Sequence, residues 1–139
     1  MAKPLQLLPT DDRRLNAVRR DLCDEVLNLL GGPPRVATYV CDQPGLDPAY
    51  WHGALAALAT RHGWRVVQQH FTDQHDAEGS PQFNAACRHA AGGFIDGILI
   101  IRRHALDLRD DEYEQRLRWL REHRAFLAVH RQLDTGSAW

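Results

Sequence analysis

Residues 92–135, GGFIDGILIIRRHALDLRDDEYEQRLRWLREHRAFLAVHRQLDT, decide the fold of this chain. Two glycines lead into an apolar run from Phe94 to Ile101, and a second apolar run spans Ala125 to His130. Between them, Asp110 to His123 carries leucines and aromatic residues at three- and four-residue spacing, the period of an amphipathic helix. Two short apolar runs joined through a helix, with no hairpin turn between them, read as parallel strands linked by a crossover.

Upstream the same alternation repeats. Strands are expected near Val36 to Cys41 and Arg65 to Phe71, and helices near Pro48 to His62 and Pro81 to Ala91. Asp47-Pro48 and Ser80-Pro81 each place a capping side chain before a proline at the first helical position, where its missing N–H costs nothing. The fold class expected is therefore α/β: three layers, a mostly parallel open sheet with helices on both faces. Gly92-Gly93 and Gly31-Gly32 follow helices, so they read as C-terminal stops and not as a phosphate-cradling loop.

Thr10-Asp11-Asp12 reads as a helix N-terminus and Gly31-Gly32-Pro33-Pro34 as a strong stop. Between them Leu15, Val18, Leu22, Val26 and Leu29 form one apolar stripe. Residues 1–34 are thus an extension with an amphipathic helix, ahead of an α/β domain at 35–139. The stripe either packs on that domain's core or meets another chain, and a homodimer or a protein partner is expected to use it.

Composition bounds the rest. The chain has 139 residues, 44% hydrophobic and 25% charged, which suits one globular domain with a real core. Its formal net charge of −1 argues against a protein whose task is gripping a phosphate backbone, since nonspecific DNA affinity depends on counterion release by Lys and Arg. Cys23, Cys41 and Cys87 are widely spaced and odd in number, which indicates neither a disulfide framework nor a zinc site and suggests a reduced, cytoplasmic protein. No segment approaches the roughly 18 apolar residues of a membrane span. No cofactor is indicated.

Several further stretches match one pattern in order: Ala37-Thr38-Tyr39-Val40-Cys41-Asp42-Gln43, Phe71-Thr72-Asp73, Ser80-Pro81-Gln82-Phe83, Ile95-Asp96-Gly97-Ile98-Leu99-Ile100 and Leu133-Asp134-Thr135. Together they resemble the catalytic domain of serine recombinases of the resolvase and invertase type, over roughly the last hundred residues. The resemblance implies the resolvase strand order, with the first strand central. It also marks where chemistry is missing. The family's nucleophilic serine would fall at Gln43, whose amide is no nucleophile, and the arginine before it at Cys41. The Arg-Pro arginine is replaced by Ser80, and the two arginines after the third strand by Ala105 and Leu108. Arg102, Arg103 and Arg109 lie nearby, out of register with the pattern. Cys41, inside an apolar strand, reads as a small buried hydrophobe with an unreactive thiol.

The resemblance thus implies a catalytically inactive domain, a pseudoenzyme of DNA recombination that acts by protein–protein interaction, as a regulatory or accessory partner in a DNA transaction. Two alternatives stay open. Asp42, Asp73, His75, Asp76 and His104 gather on loops after the strands, at the edge where open α/β sheets bind ligands. They would suit a small-molecule site, or a metal-dependent phosphodiesterase or nuclease, although their spacing matches no established ligand motif and no metal is indicated. Arg116, Arg118, Arg121 and Arg124 are interleaved with Glu112, Glu114 and Glu122, which reads as a solvated face and leaves DNA binding weak at most. His52, His62, His89 and His123 lie on or at the ends of helices, where surface placement is the expected role.

Overall fold

The computed structural model describes residues 10–130, so Leu133, Asp134 and Thr135 lie outside the described residues. In chain order the elements are α1 (Thr10–Leu29), β1 (Arg35–Asp42), α2 (Pro48–Arg61), β2 (Arg65–Val66), β3 (Phe71–Gln74), α3 (Pro81–Ala91), β4 (Gly97–Ile100), α4 (Asp110–Glu122) and β5 (Phe126–Val129). A short 3-10 turn, Arg103–Ala105, follows β4. All strand pairings are parallel: β1 pairs β4 on one side and both β2 and β3 on the other, and β4 pairs β5. The expected α/β class with a mostly parallel open sheet is what the chain forms.

Every residue of β1 from Val36 to Val40 is buried. Its side chains alternate between two cores, as the strand period of two requires. Ala37 and Tyr39 share one core with Ile98, Ile100, Leu127 and Val129, covered by Phe83 and Ala90 of α3 and Tyr113, Leu117 and Leu120 of α4. Val36 and Val40 share the other with Leu99, Phe126 and Ala128, covered by Leu55, Leu58 and Ala59 of α2. Helices therefore cover both faces. Gly97 is needed where β4 faces β5, because a methyl group there would collide with the Phe126 ring.

The amino edge of the sheet is fastened by Asp96. Its carboxylate accepts from the Arg35 backbone N–H at 2.8 Å and from the Arg35 guanidinium at 3.2 Å. Its own N–H donates to the Arg35 carbonyl, and its carbonyl accepts from Phe126 N. One residue thus aligns the starts of β1, β4 and β5.

The expected strand from Arg65 to Phe71 is two pieces. Val36 faces Val66 and Tyr39 faces Phe71, so three steps along β1 are matched by five along its partner. The surplus sits at Val67 to His70, where Gln68, Gln69 and His70 are polar, exposed and unable to alternate into a core. The result is a wide bulge that bends the edge strand.

The stripe on α1 packs on its own chain. Leu15 and Val26 are fully buried, Val18 and Leu22 pack against the first core, and Cys23 joins Val26 in the second. The helix lies against β5 and α4, crossing the β5 edge so that it serves both cores. Of the five stripe residues only Leu29 stands out of the fold, at 60% exposure. The stripe expected to offer an interface is therefore consumed in the domain core, and residues 10–29 are continuous with the α/β domain rather than an appendage to it.

Substituting Leu22→Glu together with Val26→Glu should unfold the protein, because Val26→Glu would bury an unpaired charge at a cost of several kcal/mol and Leu22→Glu would set a second charge against the half-buried margin of the core. Leu29→Glu, on the exposed end of the same helix, should change stability by no more than ~0.5 kcal/mol. Urea unfolding followed by circular dichroism separates these, and a folded, soluble double variant would show that the stripe faces outward.

Candidate functional site

Because the strands are parallel, the C-terminal ends of β1, β3, β4 and β5 open on one edge of the sheet. A cavity of about 400 Å³ lies there. From the end of β1 come Cys41 and Gln43, and from the following loop Leu46. Trp51 reaches in from the first turn of α2, which starts where it does because the Asp47 carboxylate accepts from Ala49 N and Tyr50 N and Pro48 occupies the first turn. Ile101, Arg102 and Ala105 arrive from the segment after β4, and His130 from the end of β5. The rings of Trp51 and His130 meet edge to face, 5.5 Å apart and 87° to each other.

Three of the positions at which the resemblance expects recombinase chemistry, Cys41, Gln43 and Ala105, thus meet at one cavity. Burial, with help from the charges of Asp73, Asp42 and Asp107, pushes the Cys41 thiol up from its ordinary value. At neutral pH it is a protonated thiol and a poor nucleophile. The other two positions lie elsewhere. Ser80 begins α3, and Leu108 lines a separate groove of about 510 Å³ between α3 and α4, beside Cys87, Arg116 and Trp119.

The nearby arginines are largely committed. Arg103 pairs with Asp12 at 2.6 Å and with Asp110, and lies over the Tyr113 ring, tying α1, the 3-10 turn and α4 together. Arg109 pairs with Asp111. On α4 Arg118 pairs with Glu114, Arg121 with Glu25 of α1, and Arg116 donates to Asn84 Oδ1 and Cys87 Sγ. Arg102 is exposed and has no hydrogen bond or ion pair from its side chain among the described residues.

The acidic and imidazole groups expected as ligands do not converge. Asp73 is buried, and both its oxygens are used: Oδ2 accepts from the Tyr39 hydroxyl at 2.8 Å and from Phe83 N at 3.0 Å, Oδ1 from Gln82 N at 2.8 Å. It is the N-terminal cap of α3, the role expected of Ser80. Ser80 instead adopts a left-handed backbone, φ 49°, with no side-chain bond to the helix. Burial and the Asp73 hydrogen bond push the Tyr39 phenol up, keeping it a donor. Asp42 is half-buried and its carbonyl accepts from His75 N, while His75, Asp76 and His104 are exposed. Among the described residues no group of three or more His, Cys, Asp or Glu side chains is placed to hold a metal ion.

His52 has a role that its sequence position on a helix did not suggest. Its Nδ1 lies 2.7 Å from Thr38 Oγ1 on β1 and its Nε2 2.8 Å from Thr72 Oγ1 on β3, and its ring rests 4.5 Å from that of His70 in the bulge. The signal was present: His52 precedes Leu55 and Ala59 at helical spacing, on the buried stripe of α2. Burial first, then His70, lowers its pKa from 6.5 to about 4. Between those values the unfolded chain binds a proton that the folded chain does not. Stability from this group is therefore complete above the unfolded value and is lost as pH falls toward about 4. The unfolding midpoint in urea should fall from pH 7 to pH 4 more steeply for the native chain than for His52→Asn, by less than the full shift implies because the ring is partly solvated. Equal slopes would show that His52 does not titrate differently on folding.

Compared with protein-family models, with characterised proteins and with solved structures, the chain matches none.

Proposed function

We propose that the chain is a serine-recombinase-like domain without strand-transfer chemistry, which acts by binding in a DNA transaction, as a regulatory or accessory partner. The observation that carries this reading is the meeting of Cys41, Gln43 and Ala105 at one carboxyl-edge cavity that holds no activated nucleophile. Strand transfer needs an oxygen or sulfur nucleophile and several cations around the phosphate. Gln43 and Ala105 supply neither, and Arg103 and Arg109 are held by carboxylates.

A small-molecule-binding role is the second reading, favoured by the cavity itself. Its volume falls within the range of ordinary ligand pockets, and its walls combine apolar groups with a few polar ones. The metal-dependent phosphodiesterase reading fares worse, since Asp73, its best-buried acid, is spent on Tyr39 and the start of α3. A protein partner or second copy would need a surface other than the α1 stripe.

Two outcomes are expected with DNA. Incubation with nicked suicide substrates for recombination should yield no covalent protein–DNA adduct, and an adduct at any residue would overturn the reading. Affinity for random duplex at physiological salt should be no tighter than the ~10⁻⁴ to 10⁻⁶ M of nonspecific binders, because the arginines on α4 are largely matched by glutamates. Submicromolar binding that survives raised salt would contradict it.

A further inference from the structure

We propose that the carboxyl-edge cavity is a binding site for a small planar monocarboxylate, an aromatic or conjugated acid whose ring lies against Trp51 and His130 and whose carboxylate meets Arg102. The proposal rests on the second, small-molecule reading above and names its ligand.

Three polar side chains on the cavity wall, Gln43, Arg102 and His130, make no hydrogen bond or ion pair among the described residues. Arg102 differs in this from its neighbour Arg103, which has two carboxylate partners. A guanidinium fork matches a carboxylate in two parallel hydrogen bonds, and the Gln43 amide adds a further donor. The remaining wall is largely aromatic and apolar: Trp51 and His130 meet edge to face, so a ligand ring can lie on one and meet the edge of the other, with Leu46 and Ile101 beside them. Such walls reward a planar ring more than a flexible chain, because a rigid ring loses little conformational entropy on binding.

Charge selects a monoanion. Arg102 is the one arginine among the described residues that line the cavity, and a single guanidinium can neutralise one carboxylate. A phosphate group, with a charge of about −1.5 to −2, would keep an uncompensated charge there. A neutral ring would forgo the charge-assisted pair with Arg102.

The test uses the full chain titrated with benzoate, indole-3-carboxylate, benzamide and inorganic phosphate, followed by Trp fluorescence and by backbone amide shifts in NMR. The expected result is saturable binding of the two carboxylates with shifts at Cys41, Gln43 and Ala105, and at least ~10-fold weaker binding of benzamide, since benzamide forgoes the charge-assisted pair with Arg102. Arg102→Gln, at an exposed position that the fold does not use, should weaken carboxylate binding by ~10-fold or more, whereas Arg88→Gln on the surface of α3 should leave it unchanged. Absence of carboxylate binding into the millimolar range overturns the proposal, as does equal affinity for benzamide, tighter binding of phosphate, or indifference to Arg102→Gln. If benzamide or phosphate shifts the same cavity amides while the carboxylates do not, the small-molecule reading stands and the ligand class falls. If none of the four probes perturbs those amides, both fall together.

Discussion

Strand β1 is hydrogen-bonded on both sides and buried on both faces, and every other element takes its place from that constraint. The strand's buried stretch, Val36 to Val40, cannot leave a backbone group unpaired without a penalty of order 1–3 kcal/mol each. Parallel neighbours take up much of that bonding, β4 beside Val36 to Thr38 and β2 and β3 beside the two ends of the strand, and parallel pairing in turn forces helices across each face. The alternation of Ala37 and Tyr39 with Val36 and Val40 then assigns α3 and α4 to one face and α2 to the other.

The same strand delivers both halves of the carboxyl-edge chemistry. Tyr39 points into the core and spends its hydroxyl on Asp73, which in turn fixes the start of α3. Two residues later the strand emerges, so Cys41 stands at the cavity wall, half-buried and protonated. The acid best placed by burial is thus structural. Among the described residues the side chains of Gln43, Arg102 and His130 at the cavity wall make no hydrogen bond or ion pair.

What could be seen in the sequence was what local period and punctuation control. α3 has the bounds expected from Ser80-Pro81 and Gly92-Gly93, and β1, β4 and β5 lie within or beside their apolar runs. What was hidden depends on contacts between distant segments. Nothing near Ser80 signals that Asp73, on a preceding strand, will cap the helix in its stead. The break in the edge strand arises because Gln68, Gln69 and His70 have no core to alternate into, a fact of the neighbouring layers. The cavity was partly legible: Cys41, Gln43 and Ala105 were singled out by resemblance, whereas Trp51 and His130 enter only once parallel strands bring four chain segments to one edge. The apolar stripe on α1 was read correctly as a stripe, but its period carries no information on whether the covering surface belongs to the same chain.

The two outer borders of the sheet differ, and together they govern how this chain can meet another. On one side the bulge at Val67 to His70 interrupts the row of free backbone groups, and on the other α1 lies across β5. A broken border and a covered one are the devices by which sheet proteins resist templating the strands of their neighbours. Strand addition, the route to both amyloid-like growth and main-chain peptide capture, is therefore disfavoured at both borders. What the described residues offer to a neighbour is side chains and the concavities between them, not a continuous row of free backbone groups.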